Sequence, residues 1–170
     1  MADVARASHW LASLGMDAET PTLYEWAGGS DALERLTEAF YRRVRADELI
    51  GPLFANMPED HPRHVAIWLA EVFGGPSAYS AEHGGYANML SKHLGLEITE
   101  KQRARWAQLI GLAADDAGLP ADPEFRSAFA AYIEWGTRLA AQNSQADADP
   151  PREAPVPRWG WGEAPPYLDG

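Results

Sequence analysis

Trp68-Leu69-Ala70-Glu71-Val72-Phe73-Gly74-Gly75-Pro76 closes the clearest apolar run in the chain. Counting from Val65, the residues Trp68, Leu69, Val72 and Phe73 follow at spacings of three, four, seven and eight, the period of a helix with one buried face. The run reaches back to about His61. Two glycines and a proline then end it, because neither residue type supports a continuing helix.

Working outward, the other long segments have the same character. Leu33, Leu36, Phe40 and Val44 form an apolar stripe from about Ser30 to Ala46, with Asp31 and Glu34 spaced as a capping box and Tyr41 one step off the stripe. A helix from Thr99, with Gln102 completing a second capping box, buries Trp106, Leu109, Ile110 and Ala113 and ends at Gly118, which suits a left-handed cap. A last helix starts at a cap on Asp122, has Pro123 at its first position, and carries Phe125, Phe129, Tyr132, Ile133, Gly136 and Leu139. Alternation at period two is nowhere sustained, so the fold class is all-α. The glycines at 74, 75, 84, 85 and 95 leave room for one short helix, near Tyr86 to Lys92, on otherwise irregular chain.

Two tails flank this body. Residues 1–21 read as an extension with a short amphipathic helix from Asp3 to about Leu14. Residues 144–170 hold six of the thirteen prolines and no helical or strand period, which predicts an extended or disordered tail. Its Trp159-Gly160-Trp161 and Pro165-Pro166-Tyr167 stretches suit docking on a redox partner or on the protein's own surface. Residues 22–143 remain as the domain.

Composition excludes several functions. With 46% hydrophobic residues and seven tryptophans among 170 residues, the chain has a core of its own. Without cysteine it has no disulfide, iron-sulfur cluster or thiolate nucleophile. A formal net charge of −11 argues against nucleic acid and anionic membranes as partners. No apolar stretch spans a bilayer and the start lacks the pattern of a secretory signal, so a cytoplasmic location is expected.

The chemistry centres on His93, a lone imidazole in Met89-Leu90-Ser91-Lys92-His93-Leu94-Gly95-Leu96. Such a residue is often a packed core histidine or a helix cap. A bare zinc or iron site needs three or four protein ligands, whereas haem brings four nitrogens and asks the chain for one axial histidine in a dry, aromatic slot. Tyr41, Phe54, His61, Val65, Trp68, Leu69 and Trp106 can supply that slot. At about 100° per residue, Trp68, Val72 and Val65 fall within about 40° of His61 and His64 about 60° away. Pro62 biases His61 away from helical torsions, toward a flexible cap or a swinging gate. His9 and His83 read as solvated, and His64 as a surface or haem-propionate contact.

Phe40-Tyr41, Leu53-Phe54, Trp68 through Pro76, Tyr79, His93 and Trp106 together resemble the truncated haemoglobins, specifically their second group. The resemblance implies a two-over-two helical sandwich enclosing haem b. It implies His93 as the proximal iron ligand, and Tyr41, Trp106, His61 and Phe54 on the distal side, with Tyr41 donating to bound gas. Some relatives carry Tyr in place of Phe54, so one distal donor is absent here. Val65, Trp68, Leu69, Tyr79, Met89, Ile98 and Ile110 would wall the cofactor, with Lys92 and Arg103 at its propionates.

Three functions follow as expectations. The first is reversible binding of dioxygen, nitric oxide, carbon monoxide or another small ligand. The second is an enzyme on the same site that consumes peroxide or oxidises nitric oxide, which needs a reductase. The third is a haem-free helical interaction module. A homodimer is compatible with each.

Overall fold

A computed structural model describes residues 20–163, and the helix expected from Asp3 to Leu14 lies outside them. Gly74 takes a left-handed φ of 92°, and a Cβ on Gly75 would sit 2.7 Å from the Tyr24 ring and 2.8 Å from the Ala70 carbonyl oxygen. Only glycine permits that approach. It lets the Tyr24 N–H donate to the Phe73 carbonyl at 2.9 Å, fastening the start of the described chain to the end of the central helix.

The elements are α1 (Leu23–Ala27), α2 (Gly29–Ala46), a 3-10 turn (Gly51–Phe54), α3 (His61–Val72), α4 (Ala78–Glu82), α5 (Gly85–Ser91), α6 (Glu100–Asp116) and α7 (Pro123–Asn143). No strand occurs among the described residues. Helix α2 packs on both α3 and α6, and α6 packs on α7, which is the expected two-over-two sandwich. Leu33, Leu36, Phe40 and Val44 of α2 are fully buried in one core with Val72, Ile110, Ala113 and Phe125 from the other three long helices. Burial of each such side chain contributes about 1.5–3 kcal/mol.

Helix ends follow the local chemistry with two corrections. Thr99 and Gln102 form the reciprocal capping box, at 3.2 and 2.9 Å. Beyond α6, Gly118 at φ 68° and Leu119 donate back to Asp115 and Ala114, closing a Schellman motif. Asp31 and Glu34, in contrast, form no cap. Helix α2 already begins at Gly29, behind a left-handed Gly28, so Asp31 lies inside the first turn; the first reciprocal box is Thr22 with Glu25 on α1. The glycine-rich stretch holds two short helices rather than one. Helix α4 forms because the buried Glu71 carboxylate accepts the Ser80 N–H at 2.8 Å and the Ser80 hydroxyl, satisfying donors at the helix start.

Residues 144–163 hold no helix or strand: turns at 144–147 lead into irregular chain that packs on the body. Val156 is buried, the Trp159 N–H donates to the Val72 carbonyl at 2.8 Å, and the Trp161 indole donates to the Pro21 carbonyl at 2.7 Å. The protein's own surface therefore receives Trp159 and Trp161, while Pro165, Pro166 and Tyr167 lie outside the described residues.

Asp122 joins two elements: one oxygen caps α7 at the Phe125 N–H (2.9 Å) and the other accepts the Trp26 indole N–H (2.9 Å). Replacement Asp122→Ala is expected to cost about 2 kcal/mol in urea denaturation, and Asp122→Ser to recover about half, since it keeps only the cap. Equal losses for the two variants would show that the cap contributes nothing.

Candidate functional site

Helix α5 ends two residues before His93, and one turn back its Met89 carbonyl still lacks a helical partner of its own. His93 Nδ1 lies 2.8 Å from that oxygen. A carbonyl only accepts, so Nδ1 carries the proton and Nε2 keeps a bare lone pair. Burial lowers the His93 pKa, the Met89 contact partly opposes this, and neighbouring Lys92 lowers it further, so the ring is neutral at pH 7. A neutral imidazole oriented by its second nitrogen is the form that ligates a metal.

His61 is the first residue of α3 despite the bias from Pro62, and its Nε2 lies 2.8 Å from the Tyr41 hydroxyl. Burial lowers its pKa, and the charge of Lys92 adds to this while Asp60 opposes it. Tyr41, on α2, is only 1% exposed, and burial holds its phenol far above the ordinary range, so it stays protonated. The Phe54 ring meets Tyr41 edge-on at 5.7 Å and lies 6.2 Å from His61. Phe40 touches both Tyr41 (4.8 Å) and Trp106 of α6 (4.7 Å), so Tyr41, Phe54, His61 and Trp106 form one group through it.

The expected wall residues divide into two sets. Val65, Met89 and Ile98 are half-buried, as are Phe54 and Trp106. Leu69, Tyr79 and Ile110, expected at the cofactor surface, are closed inside the core. Trp68 is also buried, its indole donating to the Tyr132 hydroxyl at 2.8 Å.

Arg103 requires a larger correction. Its guanidinium is 6% exposed and bound to Glu100 (2.6 and 2.8 Å), Glu134 (3.2 Å) and Thr137 (3.1 Å), so it ties α6 to α7 and has no free fork for a propionate. Lys92 is exposed at the end of α5. His83 is not simply solvated: its ring lies 4.5 Å from that of His64 and 5.6 Å from that of Tyr79. His64 also approaches Asp60 at 3.4 Å. Sequence reasoning missed the Met89 carbonyl, although its four-residue spacing from His93 on a short helix was the available signal. It also missed Tyr132, whose hydroxyl partner no local pattern reveals.

Residues 22–132 match the family of bacterial-like globins. The chain belongs to that family. Among curated relatives, the group 2 truncated hemoglobin YjbI of Bacillus subtilis is 28% identical over 119 residues, covering 70% of this chain and 88% of its own. The hemoglobin of Chloroflexus aurantiacus superposes with a TM-score of 0.63 at 31% identity, covering 71% of this chain and 97% of its own. The group II truncated hemoglobin of Bacillus anthracis gives 0.66 at 25%, covering 76% and 97%. This globin is thus a truncated haemoglobin resembling the second group.

Membership implies a haem, and the donor set fits one. Among the described residues no three His, Asp or Glu side chains gather to hold a bare metal ion. What the globin offers is one neutral imidazole with a free Nε2, and a separate aromatic group around Tyr41 and His61, which suits a cofactor that brings its other four nitrogens. No helix among the described residues is long and apolar enough to cross a membrane.

Both His61 and His93 bind protons less readily in the folded protein than at the unfolded value near 6.5. Their contribution to stability is therefore complete above about pH 6.5 and is lost as the pH falls through the folded values. The urea midpoint of the haem-free globin should drop between pH 7 and pH 5, and His61→Gln should make that drop shallower. An unchanged slope in the variant would remove His61 from the account.

Proposed function

We propose that this globin holds haem b through His93 and reversibly binds dioxygen or another diatomic gas on the side of Tyr41, His61, Phe54 and Trp106. The observation that supports the reading is the His93 Nδ1–H bond to Met89, which leaves Nε2 bare, in a chain that also pairs Tyr41 with His61. When bound, haem supplies the coordination position that takes the gas. The chain's own residues do the rest.

The Met89 carbonyl fixes the tautomer and ring plane of His93 and raises the basicity of Nε2. Tyr41 and His61 share one hydrogen bond, and its direction sets what the distal side offers. With a proton on His61 Nε2, the imidazole donates to Tyr41 and frees the phenol proton for the bound gas. With the other tautomer, Tyr41 donates to His61 instead. The Trp106 indole N–H makes no hydrogen bond among the described residues and is a second donor for partial negative charge on the ligand. Phe54 and Val65 exclude water without donating.

Two donors in an apolar setting imply slow release. Slow release favours chemistry on the held ligand over delivery, so a second reading is consumption of peroxide or oxidation of nitric oxide at the same site, with an external reductase supplying electrons.

Protein reconstituted with haem should show a Soret band, and His93→Ala should lose the wild-type ferrous spectrum. In stopped flow, Tyr41→Phe is expected to speed oxygen dissociation by about tenfold, the loss of one charge-assisted hydrogen bond worth about 1.5 kcal/mol, while Phe54→Tyr slows it. A Tyr41→Phe rate equal to wild type would sink the distal assignment.

A further inference from the structure

The segment 144–161 reaches the His93 region from two directions and lies beyond residues 22–132, which match the family. At its root, Ser144 is fully buried. Its carbonyl accepts the Glu97 N–H at 2.9 Å, its hydroxyl oxygen accepts the Ile98 N–H at 2.9 Å, and the Gln145 amide donates to the Ile98 carbonyl at 3.0 Å. Glu97 has a left-handed φ of 50°, the one such non-glycine residue described, so these contacts hold a turn that the residue itself disfavours. That turn lies four residues beyond His93.

Further along the segment, Trp159 packs edge-on against Tyr132 at 5.7 Å. The Tyr132 hydroxyl accepts the Trp68 indole N–H at 2.8 Å, Trp68 meets Tyr79 edge-on at 5.1 Å, and the Tyr79 hydroxyl accepts from Asn88 on α5 at 3.1 Å. Among the long helices, none packs closely on α5, whose main neighbour is the short α4. The helix that delivers His93 thus depends on side-chain contacts before it and on the Glu97–Ile98 turn after it, and the segment reaches both.

We propose that residues 144–161 are a positioning strap for His93, acting through Ser144 on the turn behind it and through Trp159, Tyr132, Trp68 and Tyr79 on the helix before it. The strap touches no ligand. It sets how firmly and at what angle the imidazole is presented, which rests on the reading of His93 as the haem ligand but is testable without haem.

The test uses the full chain with Ser144→Ala, Trp159→Ala and Trp159→Phe. In the haem-free protein, amide hydrogen exchange over residues 86–98 should quicken about tenfold in both alanine variants while α2 stays protected, the opening expected when one or two hydrogen bonds or a packed ring are lost. Trp159→Phe should restore most of the protection. In the reduced, haem-loaded protein the iron–histidine stretching band should shift in the alanine variants and return in Trp159→Phe. Unchanged exchange at 86–98, or equal quickening there and in α2, would overturn the proposal. If wild type takes up no haem, the His93 reading fails by itself and the exchange experiment still decides whether the strap holds this segment.

Discussion

One hydrogen bond, from His93 Nδ1 to the Met89 carbonyl at 2.8 Å, decides what this site can be. It selects the neutral tautomer, leaves Nε2 bare, and uses a carbonyl that the end of a short helix leaves without a partner. Without it the ring could present either nitrogen. Much of the surrounding architecture serves to hold α5, where this bond forms.

That placement has two supports of different kinds. The long helices provide a closed apolar body, in which Leu36, Phe40, Val72, Ile110 and Phe125 have almost no exposure. Polar groups then tie the short elements to it. Glu71 holds α4 by the Ser80 backbone, Tyr79 holds α5 by Asn88, and Ser144 holds the turn after His93. Each of these contacts is costly to leave unsatisfied once buried, so each specifies geometry more than it adds stability. The distal side is held differently, by aromatic edges around Tyr41 and by its bond to His61.

The long helices were legible because apolar residues at helical spacing leave one way to bury a face, and because Asp122, Thr99 and Gly118 mark ends by local chemistry. His93, Tyr41, Phe54, His61 and Trp106 could be picked out by residue type and by resemblance, and the structure brings the last four into one group. Arg103 could not be placed, since its partners Glu134 and Thr137 come from another helix and a lone arginine shows no sign of them. Asp31 looked like a cap because nothing local revealed that the cap would fall three residues earlier, on Gly28. The proline-rich tail hid its anchoring for the same reason: Trp159 and Trp161 find their acceptors on Val72 and Pro21, far away in sequence.

The orientation of His93 can be read directly from its imidazole nitrogens. In haem-free protein carrying nitrogen-15 histidine at pH 7, the account predicts a proton on Nδ1 and a bare Nε2, with the Nδ1 proton coupled to the Met89 carbonyl. A His93 ring protonated on Nε2, or on both nitrogens, would contradict it.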